Sequence, residues 1–245
     1  MSVDMYERRF RQELGKLPFF EHNDKRDPQV WRVGFPAWHA LFSSLCLYGH
    51  STGYRLPSFD DFFRYCHRAY TNAHQPKKGL YEPYFDGDLL PGMRQRVSVW
   101  YESGMTELYL YACLAEAIED KAKCGVVLYD PRADWKLKAD VIVIVRKKSM
   151  RVSAFVGEQS DRQSIEARRD VVERDRKKNT MESAHWQNSE LAAMPVFEIS
   201  RTDTDLQVAN GIRLFSLASI NRLLASIYQE AGVEGWLFSL GGSAQ

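Results

Sequence analysis

The stretch that most constrains the fold is residues 138–159, KADVIVIVRKKSMRVSAFVGEQ. Its first half, ADVIVIVR at 139–146, contains a continuous run of β-branched residues, which predicts a central strand buried on both faces. RVSAFVG, at 151–157, predicts the next strand, and the basic segment RKKSM between the two is short enough for a hairpin turn. The stretch therefore predicts a sheet core, with Asp140 at the start of its central strand.

The C-terminal part of the chain, residues 100–245, alternates helical and strand patterns. Helical spacing, apolar runs and turn residues predict a helix at 104–120, strands at 125–131, 194–200 and 212–216, a helix at 160–178 and a closing helix at 217–229. On the first helix, Glu107 shares a stripe with apolar residues, where a charge is costly unless it is paired or bound to a metal. We therefore expect an α/β domain over residues 100–245.

Residues 1–99 predict a separate region that is helical and rich in aromatic residues. Helical patterns cover residues 3–17 and 36–49, and another helix begins near Ser58, which can cap it. The stretch 71–92 holds three prolines and three glycines, so it is predicted as a long loop or a boundary.

Composition narrows the class of protein. The chain has 33 basic and 32 acidic residues, so no global field indicates a nucleic-acid partner. No apolar run is long enough to span a bilayer, and the N-terminus lacks the order of a signal peptide, so we expect a cytoplasmic protein without a membrane segment. No Walker, GxGxxG or GxSxG motif is present, which disfavours nucleotide-cofactor folds and acyl-transfer hydrolases.

The sequence also contains potential zinc ligands. Cys46, His50, Cys66 and either His67 or His74 are suitable ligand types. Their spacing matches no zinc finger, and both cysteines fall in apolar helical patterns. Buried, reduced cysteines are therefore the favoured interpretation.

The element order of residues 100–200 is helix, three strands, helix, strand, with an acidic residue on the first helix and an aspartate on the second strand. This order resembles the PD-(D/E)XK nuclease superfamily, which has the restriction-endonuclease-like fold. The resemblance implies an α-β-β-β-α-β core with a mixed central sheet, to which this chain would add a C-terminal strand and helix.

The resemblance also implies a magnesium site. In that family the second strand supplies an aspartate, and the third supplies an acidic residue with a lysine two positions on. Asp140 matches the first position, and Glu107 matches the helical glutamate that supports the metal. The third strand lacks the acid-x-Lys pair, and Glu158 at its end is the nearest carboxylate. The implied catalytic residues are thus Asp140 and Glu158, with Lys138 or a basic residue of the following helix near the phosphate. The implied metal ligands are Glu107, Asp140 and Glu158.

Each of these residues also has an ordinary interpretation. Asp140 would be a solvated strand-edge residue beside Lys138, Glu107 a helical glutamate whose stem bends to water, and Glu158 a turn residue.

The predicted helix at 160–178 supplies a candidate DNA-binding surface. It carries seven basic residues, which are Arg162, Arg168, Arg169, Arg174, Arg176, Lys177 and Lys178. Five acidic residues are interspersed, so a solvated face with i,i+4 pairs is the alternative. The net basic end of this helix is where phosphate contact is expected.

Two functions are therefore consistent with the sequence. The first is a magnesium-dependent DNA endonuclease of a defence or mobile-element system. The second is a catalytically inactive nuclease fold that serves as a nucleic-acid-binding or protein-scaffolding subunit, with partner proteins bound to its aromatic-rich N-terminal half.

Overall fold

The computed structural model describes residues 5–21, 25–32, 55–73, 78–130, 133, 139–156, 194–200 and 205–233. The chain divides into two compact units. The sheet unit comprises Met1–Arg9, Tyr109–Gln207 and Phe215–Gln245, and the helical unit comprises Phe10–Leu108 and Val208–Leu214.

The described residues form a mixed α/β structure. The α-helices are α1 (Met5–Gly15), α2 (Pro28–Trp31), α3 (Phe59–Ala73), α4 (Lys78–Phe85), α5 (Leu90–Ala115) and α6 (Leu217–Glu230), and a π-helical turn at Glu116–Lys121 follows α5. The strands are β1 (Gly125–Leu128), β2 (Val141–Val145), β3 (Lys148–Phe155), β4 (Val196–Ser200), β5 (Leu206–Ala209) and β6 (Ile212–Phe215).

Strands β1 to β4 form one mixed sheet in the order β1-β2-β3-β4. β2 pairs with β1 and β3 in antiparallel fashion, whereas β4 pairs with β3 in parallel. Alternate residues of a strand face opposite sides of a sheet, and both Ile142 and Val143 are buried. The predicted mixed sheet, with a central strand buried on both faces, is confirmed.

The predicted hairpin between the two central strands is also confirmed. The turn is made by Arg146 and Lys147, and β3 begins at Lys148, earlier than the predicted 151. β3 extends further because Val145 already pairs with Lys148 across the turn.

The predicted loop before the sheet was wrong, whereas the predicted helix that follows it is present but longer. The stretch 71–92 is not a long loop, since it contains the end of α3, all of α4 and the start of α5. The predicted 104–120 helix therefore begins earlier, at Leu90. Pro91 does not prevent this, because a proline in the first turn lacks only an N–H that has no helical partner.

The C-terminal part has two extra strands where the sequence predicted one. β5 and β6 form their own two-stranded sheet around Asn210 and Gly211, which have φ values of 50° and 81°. An Asn-Gly pair is the strongest sequence signal for such a tight hairpin, and it was overlooked. α6 follows as predicted, and Ser216 caps it by accepting a hydrogen bond from the Ser219 N–H at 3.1 Å.

The helical unit is held together by aromatic side chains. Tyr101 of α5 contacts the rings of Phe20, Phe59 and Phe62, with centroids 5.3–5.9 Å apart. The start of α3 is set as predicted, because Ser58 Oγ accepts a hydrogen bond from the Asp61 N–H at 3.1 Å. The predicted helices at 36–49 and 160–178 lie outside the described residues.

None of the helices in the described ranges combines the length and apolar content needed to cross a bilayer.

Candidate functional site

Asp140 directly precedes β2, at the edge of the β2–β3 ladder. The last backbone pair of that ladder joins Val141 to Val152. Beyond it, the Ala154 N–H donates to Asp140 Oδ2 at 2.6 Å. The Asp140 carboxylate thus takes the place of a backbone carbonyl and continues the ladder by one step. Its position is fixed relative to both central strands.

A row of polar positions crosses the sheet at this edge. One step past the Val141–Val152 pair, Asp140 stands opposite Ser153, and Ser153 pairs with Glu198 of the parallel strand β4. Directly opposite residues share one face of a sheet. Ser153 is 7% exposed and Glu198 is exposed. The row therefore contains two carboxylates, one directly before β2 and one on β4, on the two sides of β3.

The third strand itself supplies no charged group at this edge. The positions next to Asp140 are Ser153, Ala154 and Phe155. An acid-x-Lys pair is therefore missing from the strand that the nuclease resemblance would require to carry it. No local sequence pattern singles out Glu198, because only the register of β3 with β4 brings it into the row.

The other predicted site residues are distributed as follows. Glu107 is a half-buried residue of α5 in the helical unit, and Asp140 belongs to the sheet unit. Lys138 and Glu158 lie outside the described residues. The seven basic residues of the predicted 160–178 helix also lie outside them.

Of the candidate zinc ligands, Cys66 and His67 are among the described residues. Cys66 is buried in the helical unit, and burial raises the pKa of its thiol far above the usual range. His67 stacks on Phe85 with centroids 5.3 Å apart, and its Nε2 lies 3.2 Å from Asp86 Oδ2. The buried Cys66 thiol agrees with the interpretation as a reduced core cysteine. Cys46, His50 and His74 lie outside the described residues.

The π-helical turn before β1 gathers several acidic groups that the helical pattern did not single out. Glu116, 1% exposed, accepts a hydrogen bond from the Glu7 N–H at 2.9 Å. Glu119 accepts one from the Val127 N–H at 2.7 Å, on the edge strand β1. These carboxylates therefore satisfy backbone donors at the start of α1 and along β1.

Two tyrosines near these carboxylates have a raised pKa. Burial raises the pKa of Tyr111 to about 12, and Glu119 and Tyr6 add to the shift. Burial also raises the pKa of Tyr6, with further contributions from Asp120, Glu119 and Glu116. Both phenols are thus kept protonated, and Tyr111 donates to the Val127 carbonyl at 3.3 Å.

The row at the start of β2 suits magnesium in its ligand type. Magnesium prefers oxygen ligands and is often held by one or two carboxylates together with water and substrate phosphates. Asp140 and Glu198 supply carboxylates. Among the described residues, no group of three or more His, Cys, Asp or Glu side chains is placed to hold a metal ion. A site here would therefore need further ligands from water, from substrate or from residues outside the described set.

The chain was also compared with known families, curated proteins and solved structures. No family model, no curated protein and no solved structure matches it significantly.

Proposed function

We propose that the chain is a metal-dependent phosphodiesterase of the restriction-endonuclease-like type that acts on DNA, with Asp140 at its centre. The observation that carries this proposal is the place of Asp140. It is anchored between the second and third strands of a four-stranded sheet whose fourth strand runs parallel to the third. A nuclease of this type holds its metal-binding aspartate at the same point of the strand order.

The sheet topology supports the proposal independently of the aspartate. Strands β1, β2 and β3 form an antiparallel meander, and β4 then returns parallel to β3. A parallel neighbour requires a crossover connection between β3 and β4. The helix predicted at 160–178 falls within that connection. The order helix, three strands, crossover and strand is the one that the resemblance implies.

The proposed site assigns a role to each of its residues. Asp140 and Glu198 would hold the magnesium ion from either side of Ser153, and the nuclease resemblance adds Glu158, which lies outside the described residues, as a further ligand. The bound ion would supply an activated water and stabilise the charge that develops on the phosphate. Lys138 would lie near the phosphate, and the basic residues of the 160–178 segment would contact the DNA backbone.

The test is cleavage of plasmid and single-stranded DNA in magnesium or manganese by the native chain, Asp140→Asn and Asp205→Asn. Asparagine keeps an oxygen that can accept the Ala154 N–H, so the ladder is preserved while the charge is removed. Asp205 is an exposed aspartate of the same unit and serves as the matched control.

We expect Asp140→Asn to lower the cleavage rate by about a hundredfold or more, since magnesium binding and water activation both depend on the carboxylate. Asp205→Asn should cleave like the native chain. Cleavage that is unchanged in Asp140→Asn would contradict the site assignment.

A second function is favoured by one observation, the uncharged run Ser153, Ala154 and Phe155 beside Asp140. Without an acid-x-Lys pair, the same fold would serve as a non-catalytic binding subunit of a larger assembly. Calorimetric titration with manganese separates the two functions. Divalent binding that is lost in Asp140→Asn supports the phosphodiesterase, whereas no divalent binding together with a stable partner in a pull-down supports the subunit.

A further inference from the structure

Basic residues occupy strained backbone positions at one end of the four-stranded sheet. Among the described residues, four that are not glycine have positive φ, and three of these are Lys123 at 48°, Arg146 at 46° and Lys147 at 70°. The fourth is Asn210, a residue type that tolerates this conformation. A left-handed backbone costs an ordinary L-residue about 1–2 kcal/mol.

The three basic residues are neighbours. The Arg146 N–H donates to the Cys124 carbonyl at 3.0 Å, which places Lys123 beside the β2–β3 turn that Arg146 and Lys147 form. All three side chains are exposed. We call Lys123, Arg146, Lys147 and Lys148 the basic turn.

The same chain shows what a relaxed version of this turn looks like. The β5–β6 hairpin also has two central residues with positive φ, but they are Asn210 and Gly211, the pair that this geometry favours. The β2–β3 hairpin places two long cationic side chains in the equivalent positions. The stability of the turn by itself does not explain why an arginine and a lysine occupy these two positions.

Within the sheet unit, two of the four cationic side chains of the basic turn have hydrogen-bond or ion-pair partners. Arg146 donates to the Gly232 carbonyl at 2.9 Å, and Lys148 donates to the Glu230 carbonyl at 2.9 Å and pairs with the Glu230 carboxylate. These two cations donate hydrogen bonds to backbone carbonyls at and just beyond the C-terminal end of α6, where a positive charge is favourable. Lys123 and Lys147 have no hydrogen bond or ion pair within the described part of the chain.

Among the described residues, the acidic groups on the elements that adjoin the basic turn already have partners. Asp120 pairs with Lys121 at 3.2 Å, and Glu230 pairs with Lys148. Glu119 accepts a hydrogen bond from the Val127 N–H. Among the described residues, no ion pair involves Lys123 or Lys147, and like charges on neighbouring strands repel each other.

We propose that the basic turn binds the phosphodiester backbone of a nucleic acid. Lys and Arg side chains that neutralise phosphates without reading bases are the general means of such binding. The surface is separate from the candidate metal site, because the five residues of β2 lie between Asp140 and Arg146, a span of about 20 Å. The proposal therefore stands whether or not the chain cleaves DNA.

The test measures binding of the full chain to a fluorescent DNA duplex and single strand over a series of salt concentrations, without divalent ions. For the duplex, the slope of log affinity against log salt should fall by about 0.9 for each lysine removed, in Lys123→Gln, in Lys147→Gln and additively in the double variant. Lys16→Gln, an exposed lysine of the helical unit, is the control and should leave the slope unchanged.

A second variant separates binding from folding. Lys147→Gly relieves the left-handed backbone and removes the charge, so we expect a raised melting temperature together with several-fold weaker DNA binding. Lys147→Arg keeps the charge and should bind like the native chain. Unchanged salt slopes in the double lysine variant would overturn the proposal, and so would tighter binding to poly-glutamate of matched charge than to DNA.

Discussion

The carboxylate of Glu102, which is 2% exposed, holds the guanidinium of Arg213 by two hydrogen bonds within the helical unit. Oε1 accepts a hydrogen bond from Nε at 2.7 Å, and Oε2 accepts one from Nη2 at 2.8 Å. Oε1 also lies 3.2 Å from the Arg213 N–H, so the same carboxylate fixes the backbone of β6 to α5.

We expect Glu102→Gln to lower the free energy of unfolding by about 2–3 kcal/mol. One charged, bidentate interaction is lost while Arg213 remains partly buried, and its 30% exposure moderates the penalty. Urea denaturation measures the change. Glu13→Gln breaks the exposed Glu13–Lys16 pair instead and should cost less than about 1 kcal/mol. Equal losses in the two variants would contradict the structural role of Glu102.

The bond between Asp140 and Ala154 predicts different outcomes for two substitutions of the aspartate. Asp140→Ala removes the acceptor and should lower the free energy of unfolding by about 1–2 kcal/mol, whereas Asp140→Asn should have a smaller effect because an amide oxygen can still accept. Hydrogen exchange at the Ala154 amide should speed up only in the alanine variant. Equal protection in both variants would show that the carboxylate does not extend the β2–β3 ladder.

The raised pKa of Tyr111, about 12, predicts a loss of stability in alkaline solution. The unfolded phenol releases its proton near pH 10, so between about pH 10 and 12 the unfolded state binds fewer protons and the free energy of unfolding falls. Tyr111→Phe should therefore flatten this decline, as followed by urea denaturation from pH 8.5 to 11. Tyr65→Phe, in α3, is the control, and a decline of the same slope in both variants would argue against burial of the Tyr111 hydroxyl.

Two glycine-to-alanine substitutions should differ in their effect on stability. Gly211 has a φ of 81°, and a Cβ added there would lie 1.9 Å from the Phe20 carbonyl oxygen. Gly211→Ala should cost at least about 1–3 kcal/mol, because the backbone is strained and Phe20 must move. Gly15→Ala, at the end of α1, meets nothing within 4 Å and should be neutral or slightly stabilising. Thermal denaturation compares them, and a neutral Gly211→Ala would contradict the described turn.

The sheet was largely predictable from sequence because its signals are local. The VIVIV run specified a strand buried on both faces, and a short polar connection indicated the hairpin that follows. The start of α5 was not predictable in the same way, because Pro91 and Gly92 are usually helix breakers. In the structure a Cβ at Gly92 would lie 2.7 Å from Asp27 Oδ2, so this glycine permits close packing inside a helix.

The candidate site was only partly predictable for a related reason. Asp140 could be identified because it adjoins a recognisable strand. Glu198 could not, because its relation to Asp140 depends on the parallel register of β3 with β4, which no local pattern specifies. The acidic residues of the π-helical turn were missed because a π-helix changes which side chains share a face.

The parallel pairing of β3 with β4 also has a consequence for how the chain folds. β2 and β3 meet through a two-residue turn, whereas Arg151 must find Val196 across a long intervening segment. Closing a long loop costs entropy before the contacts it brings together can compensate. The antiparallel meander that holds Asp140 can therefore assemble early, and Glu198 joins the row only when the slowest edge of the sheet has formed.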